Sequence, residues 1–94
     1  MLEIPIDGTL DLHNFHPSDV RSLVPDYIHE CRKRGILDVR IIHGKGTGAL
    51  RQTVHAALDR MDEVVSFRLA GDAGGWGATV ARLTPLQREQ ERSA

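Results

Sequence analysis

Ile36-Leu37-Asp38-Val39-Arg40-Ile41-Ile42-His43-Gly44-Lys45-Gly46-Thr47-Gly48 is the stretch on which the fold turns. Its first part, Ile36 to Ile42, is apolar enough for a strand lying centrally in a sheet. His43 to Gly48 is a glycine loop, and Leu50, Val54, Leu58 and Met61 then mark a helix from about Ala49 to Met61. A strand, a glycine loop and a helix start make a natural anion site, because backbone N–H groups converge where the helix dipole is positive. Lys45 adds a point charge. The spacing is not that of a P-loop, since Lys45 precedes the last two glycines, and it is not G-x-G-x-x-G. A turn that simply needs glycine dihedrals has the same composition.

Upstream, residues 1–7 read as a lead-in, and Thr9-Leu10-Asp11-Leu12-His13 alternates polar and apolar as a half-buried strand does. Pro17, Ser18 and Asp19 suit a first helical turn. Val20, Leu23, Val24, Tyr27, Ile28 and Cys31 follow on one helical face, and the helix stops at Lys33-Arg34-Gly35. Pro25 inside that pattern predicts a kink or an irregular first turn. Downstream, Val64 to Ala70 reads as a third strand, with Val65, Phe67 and Leu69 on the core side and Ser66 and Arg68 opposite. Gly71 to Gly77 connects it to a fourth strand, Ala78 to Leu83. The order is βαβαββ, an α/β two-layer sandwich. Right-handed crossovers place two helices on one face of a mixed four-stranded sheet and leave the other face open. The domain is expected over 1–83, with a polar tail over 84–94.

The 94 residues allow one domain, and 40% hydrophobic with 27% charged residues is ordinary for a soluble globular chain. No apolar run approaches the ~18 residues of a membrane span, and no signal peptide opens the chain. No membrane partner and a cytoplasmic location are therefore expected. The lone Cys31 excludes an internal disulfide and a cysteine-based zinc site. The net charge of −1 argues mildly against nucleic acid. The distribution argues the other way: Arg32, Lys33, Arg34, Arg40, Lys45 and Arg51 face Asp38 alone over that stretch.

Alternation puts Asp11, His13, Arg40, Arg68 and Arg82 on the open face, where they suit a phosphate backbone or, equally, a solvated surface. His13 and His43 close two parallel strands at their C-terminal ends, the edge at which open α/β sheets bind ligands. Two imidazoles there, beside Asp11, can supply general acid and base for phosphodiester cleavage. His43 shares the register of Val39 and Ile41, so it tilts toward the helices and orients the loop as readily as it performs chemistry. His29 and His55 fall on polar helix sides and read as solvated. Trp76 offers a base-stacking platform or a cap on the sheet edge.

Leu10-Asp11-Leu12-His13, His43-Gly44-Lys45-Gly46 and Gly75-Trp76-Gly77-Ala78-Thr79-Val80 resemble, in order, the three signature segments of the Smr (small MutS-related) domain. The resemblance covers residues 8–83. It implies a sandwich like the C-terminal domain of translation initiation factor three, binding to DNA or RNA and, in several members, endonuclease activity. By position it ties Asp11 and His13 to cleavage and His43 through Gly46 to substrate binding and activity. Asn14 departs from the usual glycine, and its tolerance of left-handed dihedrals predicts that the turn survives. The chain is read as a stand-alone domain, and a structure-directed endonuclease with Asp11, His13 and His43 as catalytic residues is expected. Nucleic acid would be held by Gly44, Lys45, Gly46, Thr47, Gly48, Arg40, Arg51, Arg68, Trp76 and Arg82. A non-catalytic nucleic-acid- or ribosome-binding module is the alternative. DNA against RNA and the oligomeric state stay open. No metal ligand is assigned, and a divalent ion such as Mg²⁺ stays open as a cofactor.

Overall fold

Strand β2, Asp38–Ile42, lies inside the sheet, as its apolar sequence predicts. The computed structural model describes residues 4–71 and 77–86. Around β2 are β1 (Thr9–Asp11), α1 (Val20–Lys33), α2 (Ala49–Asp59), β3 (Val64–Leu69) and β4 (Ala78–Leu83). The sheet order is β1-β2-β4-β3, with β1 parallel to β2 and β4 antiparallel to both neighbours. This is the mixed βαβαββ sheet expected.

The core lies between the sheet and both helices. Leu10, Val39, Ile41, Ala81 and Leu83 point from the strands onto Val20, Val24 and Ile28 of α1 and Val54 and Leu58 of α2, all buried. Tyr27 is also buried, and its hydroxyl accepts the Gly8 N–H at 3.0 Å. This ties the start of β1 to the middle of α1.

Local structure refines the sequence reading in four places. Strand β1 ends at Asp11, and Leu12–Asn14 forms a 3-10 turn. Leu12 is still buried and His13 still exposed, because one 3-10 step reproduces the alternation there. Asn14 keeps a negative φ, so the turn survives its departure from glycine without the left-handed geometry. The first turn toward α1, Pro17–Asp19, is also 3-10, capped by His16, whose Nδ1 accepts the Ser18 N–H. Beyond it α1 runs on through Pro25.

The fourth is a departure, in β3. Val64 pairs with Leu83 and Ser66 with Arg82, leaving Val65 as the extra residue of a bulge. Val65 is therefore 61% exposed rather than in the core, and Val64 takes its place against the apolar cluster. Period-two counting fails across a bulge because one residue is skipped. Beside the bulge, Thr84 is fastened, donating its N–H to Glu63 O and accepting from Arg32 Nε at 2.7 Å.

Candidate nucleic-acid interface

Asp11 and Ile42 are register partners at the C-terminal ends of the parallel pair β1 and β2. The segments that follow each strand therefore start side by side. In the first, the Asp11 carboxylate caps the 3-10 turn, its Oδ1 accepting the His13 N–H at 2.9 Å. The same oxygen lies 2.6 Å from His13 Nδ1. These two bonds, backbone first, hold the Asp11 carboxyl below the usual carboxylate range. An ionised carboxylate accepts only, so Nδ1 carries the hydrogen and Nε2 presents a lone pair.

That lone pair faces the glycine loop. His13 Nε2 is 3.4 Å from the position a Cβ would take on Gly44. Gly44 has φ +82, a conformation L side chains rarely adopt. The third sequence segment enters from β4: Gly77 O accepts the N–H of His43 at 2.9 Å and of Gly44 at 2.8 Å. A Cβ on Gly77 would lie 3.6 Å from Gly44 Cα and from Lys45 Cγ. Three segments distant in sequence thus meet within one or two atomic contacts.

Beyond Gly44 the loop turns outward, with Lys45, Gly46 and Thr47 exposed. Gly48, at φ +92, opens α2, and the Arg51 guanidinium folds back over it, 2.9 Å from where its Cβ would stand. A pocket of about 140 Å³ is enclosed by His43, Gly44, Gly46, Thr47, Gly48 and Arg51, among others. Two of the loop's N–H groups are already engaged by Gly77, so any anion would meet the exposed remainder of the loop, Lys45 and Arg51.

The open sheet face carries a depression of about 450 Å³ whose lining includes Thr9, Asp38, Arg40, Arg68, Val80 and Arg82. Register places Arg40, Val80 and Arg68 in one row across β2, β4 and β3, and Asp38 and Arg82 in the next. The face is less basic than the arginines alone predict. Arg82 Nη1 bonds both Asp38 oxygens, at 2.9 and 2.8 Å. Asp38 shares Arg40's parity and so its face, but only the β2–β4 pairing sets it opposite Arg82. The sequence cluster of cations also divides: Lys33 and Arg34 pair with Glu30, and Arg32 with Thr84. They sit at the C-terminal end of a 14-residue helix, about 20 Å from its start and away from the glycine loop. Trp76 lies outside the described residues.

A family model for the Smr domain matches residues 10–84, and so contains every contact just described. The chain belongs to the Smr domain family. The protein named endonuclease MutS2 from Thermus thermophilus is 40% identical over 77 residues, which cover 81% of this chain and 10% of that protein. Endonuclease MutS2 from Halothermothrix orenii is 38% identical over 79 residues, 83% of this chain and again 10% of that one. The chain thus spans about a tenth of the length of these relatives. Among solved structures, the Smr domain of Thermus thermophilus MutS2 superposes with TM-score 0.77 at 39% identity, covering 84% of this chain and 100% of that one. YdaL, a stand-alone small MutS-related protein from Escherichia coli, gives 0.75 at 29% identity, over 84% of this chain and 66% of its own.

Two polar residues of this Smr domain, Thr79 and His55, escaped the sequence reading, and both lie around His43. His43 is 5% exposed and both ring nitrogens are engaged, Nδ1 with Gly44 O at 3.0 Å and Nε2 with Thr79 Oγ1 at 2.8 Å. Its burial and contacts fit the loop-orienting role that its register allows. Thr79 is fully buried and also meets His55 Nε2 at 2.7 Å. His55, expected in solvent, packs its ring 5.0 Å from Phe67 and edge-on to His43 at 6.2 Å. Burial first, then electrostatic repulsion of its charged form by His43 and Arg51, lowers its pKa. Thr79 has the inward parity of Ala81 and Leu83, and a polar residue at a core position was the missed signal.

Among the described residues, no group of three His, Cys, Asp or Glu side chains is placed to hold a metal ion. Nor, among them, is any helix long and apolar enough to cross a membrane.

Proposed function

We propose that this Smr domain binds DNA or RNA at the edge formed by Asp11, His13 and the glycine loop, and cleaves a phosphodiester bond there. The observation that carries the reading is the 2.6 Å Asp11–His13 contact, which turns the His13 lone pair toward Gly44. His13 is the general base: Nε2 takes a proton from the attacking water or ribose hydroxyl and returns one to the leaving oxygen. Asp11 fixes the tautomer and stabilises the imidazolium that forms, the role of the carboxylate in hydrolase triads. Lys45, Thr47, Arg51 and the exposed loop amides hold the phosphate, and Arg40 and Arg68 receive flanking phosphates on the open face. Arg82 contributes only as its pair with Asp38 opens. The endonuclease names of the MutS2 relatives support this reading.

The non-catalytic alternative draws support from the net charge of −1, which limits affinity at physiological salt. One assay separates them. Wild type and His13→Ala are compared on branched DNA and hairpin RNA, with Mg²⁺ or chelator, for both binding and cleavage. Cleavage by the wild type that His13→Ala abolishes, with binding retained, supports catalysis. Salt-sensitive binding without turnover in every arm supports the binding module.

A further inference from the structure

With His43 neutral, the buried contacts among His55, Thr79 and His43 have only one consistent direction. Gly44 O can only accept, so His43 Nδ1 carries its hydrogen. In neutral His43, Nε2 is then an acceptor, and the Thr79 hydroxyl beside it must donate. Thr79 has a single hydrogen, so toward His55 it accepts, and His55 Nε2 carries the hydrogen. The chain runs His55 to Thr79 to His43 to the Gly44 carbonyl, from α2 through β4 and the end of β2 into the loop. Every donor in it meets an acceptor, and among the described residues no buried side-chain polar atom is left without a partner.

We propose that Thr79 and His55 are positioning residues: they lock His43 in its Nδ1–H tautomer and thereby fix the Gly44 peptide against His13. Gly44 is held on both sides, its N–H by Gly77 O and its C=O by His43. Its orientation sets where the loop stands relative to the His13 lone pair. Without the Thr79 hydroxyl, His43 Nε2 loses its donor, the other tautomer becomes accessible, and Nδ1 no longer has to hold Gly44 O. Neither Thr79 nor His55 touches substrate in this scheme. The groups facing His55 are Arg51 on its own helix, His43 from the β2 end, Thr79 from β4 and Phe67 from β3.

The catalytic part of the inference rests on the proposed cleavage reaction, but its core does not. The test is nitrogen-15 NMR of the histidine side chains in wild type, Thr79→Val, Thr79→Ser and His55→Phe, with single-turnover cleavage and Kd measured on each. The wild type and Thr79→Ser should show His43 protonated at Nδ1. Thr79→Val, equal in shape, should populate the Nε2–H form. Its cleavage should slow roughly tenfold at unchanged Kd, about the worth of one hydrogen bond, and Thr79→Ser should restore it. His55→Phe keeps the ring packing and should shift the tautomer in the same direction, which preserves the test if Thr79→Val does not fold. A wild-type His43 protonated at Nε2, or variants with an unchanged tautomer, would overturn the proposal even if cleavage persists. A wild type that never cleaves refutes the endonuclease reading and leaves the tautomer result to decide this one.

Discussion

Replacing Gly44 by alanine perturbs backbone and site by amounts the geometry separates. At φ +82 an L residue occupies the left-handed region, which costs roughly 1–2 kcal/mol. The added Cβ would lie 3.4 Å from His13 Nε2, an ordinary contact rather than an overlap. The stability loss is therefore the dihedral cost alone. Against a total of about 5–15 kcal/mol it leaves the domain folded. In a chain of this size it lowers Tm by roughly 4–15 °C. The functional effect is larger, because the methyl fills the space between the dyad and the loop. A reacting phosphate displaced by about 1 Å loses rate on the order of 100-fold. Thermal unfolding followed by circular dichroism, with single-turnover cleavage well below Tm, reads both. Gly46→Ala is the control for the stability readout: φ is not positive there and nothing lies within 4 Å of the new Cβ. An unchanged Tm in Gly44→Ala would refute the left-handed backbone. A lowered Tm with undiminished cleavage would refute the proximity of dyad and loop.

Burial and neighbouring charge lower the His55 pKa from its ordinary 6.5. Below that value the unfolded chain takes up the proton more readily than the folded one, so stability declines on acidification from about pH 6.5. His55→Gln should flatten part of the decline in urea unfolding between pH 7.5 and 5, and parallel curves for the two proteins would count against the buried His55. Asp38→Ala removes a carboxylate from the open face and releases Arg82 from its pair. Nucleic-acid affinity should rise and the salt dependence steepen by about one phosphate contact. Titrations at several salt concentrations that give an unchanged slope would show that this face does not meet the backbone.

The apolar run at β2, the helical face from Val20 to Cys31 and the glycine loop made the sandwich legible, because each expresses a period that only one element satisfies. The approach of Asp11, His13 and the loop was equally legible, since parallel neighbours bring their C-terminal ends together whatever their length. The Val65 bulge was hidden, as an alternating run gives no sign of where one residue drops out of register. The Asp38–Arg82 pair depends on β4 inserting between β2 and β3, a choice of strand order that no local pattern encodes. His55 looked solvated because it borders, rather than occupies, the Val54–Leu58 stripe. Its packing on Phe67 arises only when α2 lies across β3.

The most direct test of the account is the single-turnover cleavage rate of Asp11→Asn, measured beside wild type on whichever substrate the wild type cuts. Asparagine keeps the size of the side chain but no longer holds the Nδ1–H tautomer of His13 as an ionised acceptor. Cleavage should fall by roughly 10²–10⁴-fold, the usual contribution of general acid–base catalysis, while Kd stays within a few-fold of wild type. A cleavage rate equal to that of the wild type would contradict the account, since the Asp11–His13 dyad would then not be where the bond is broken.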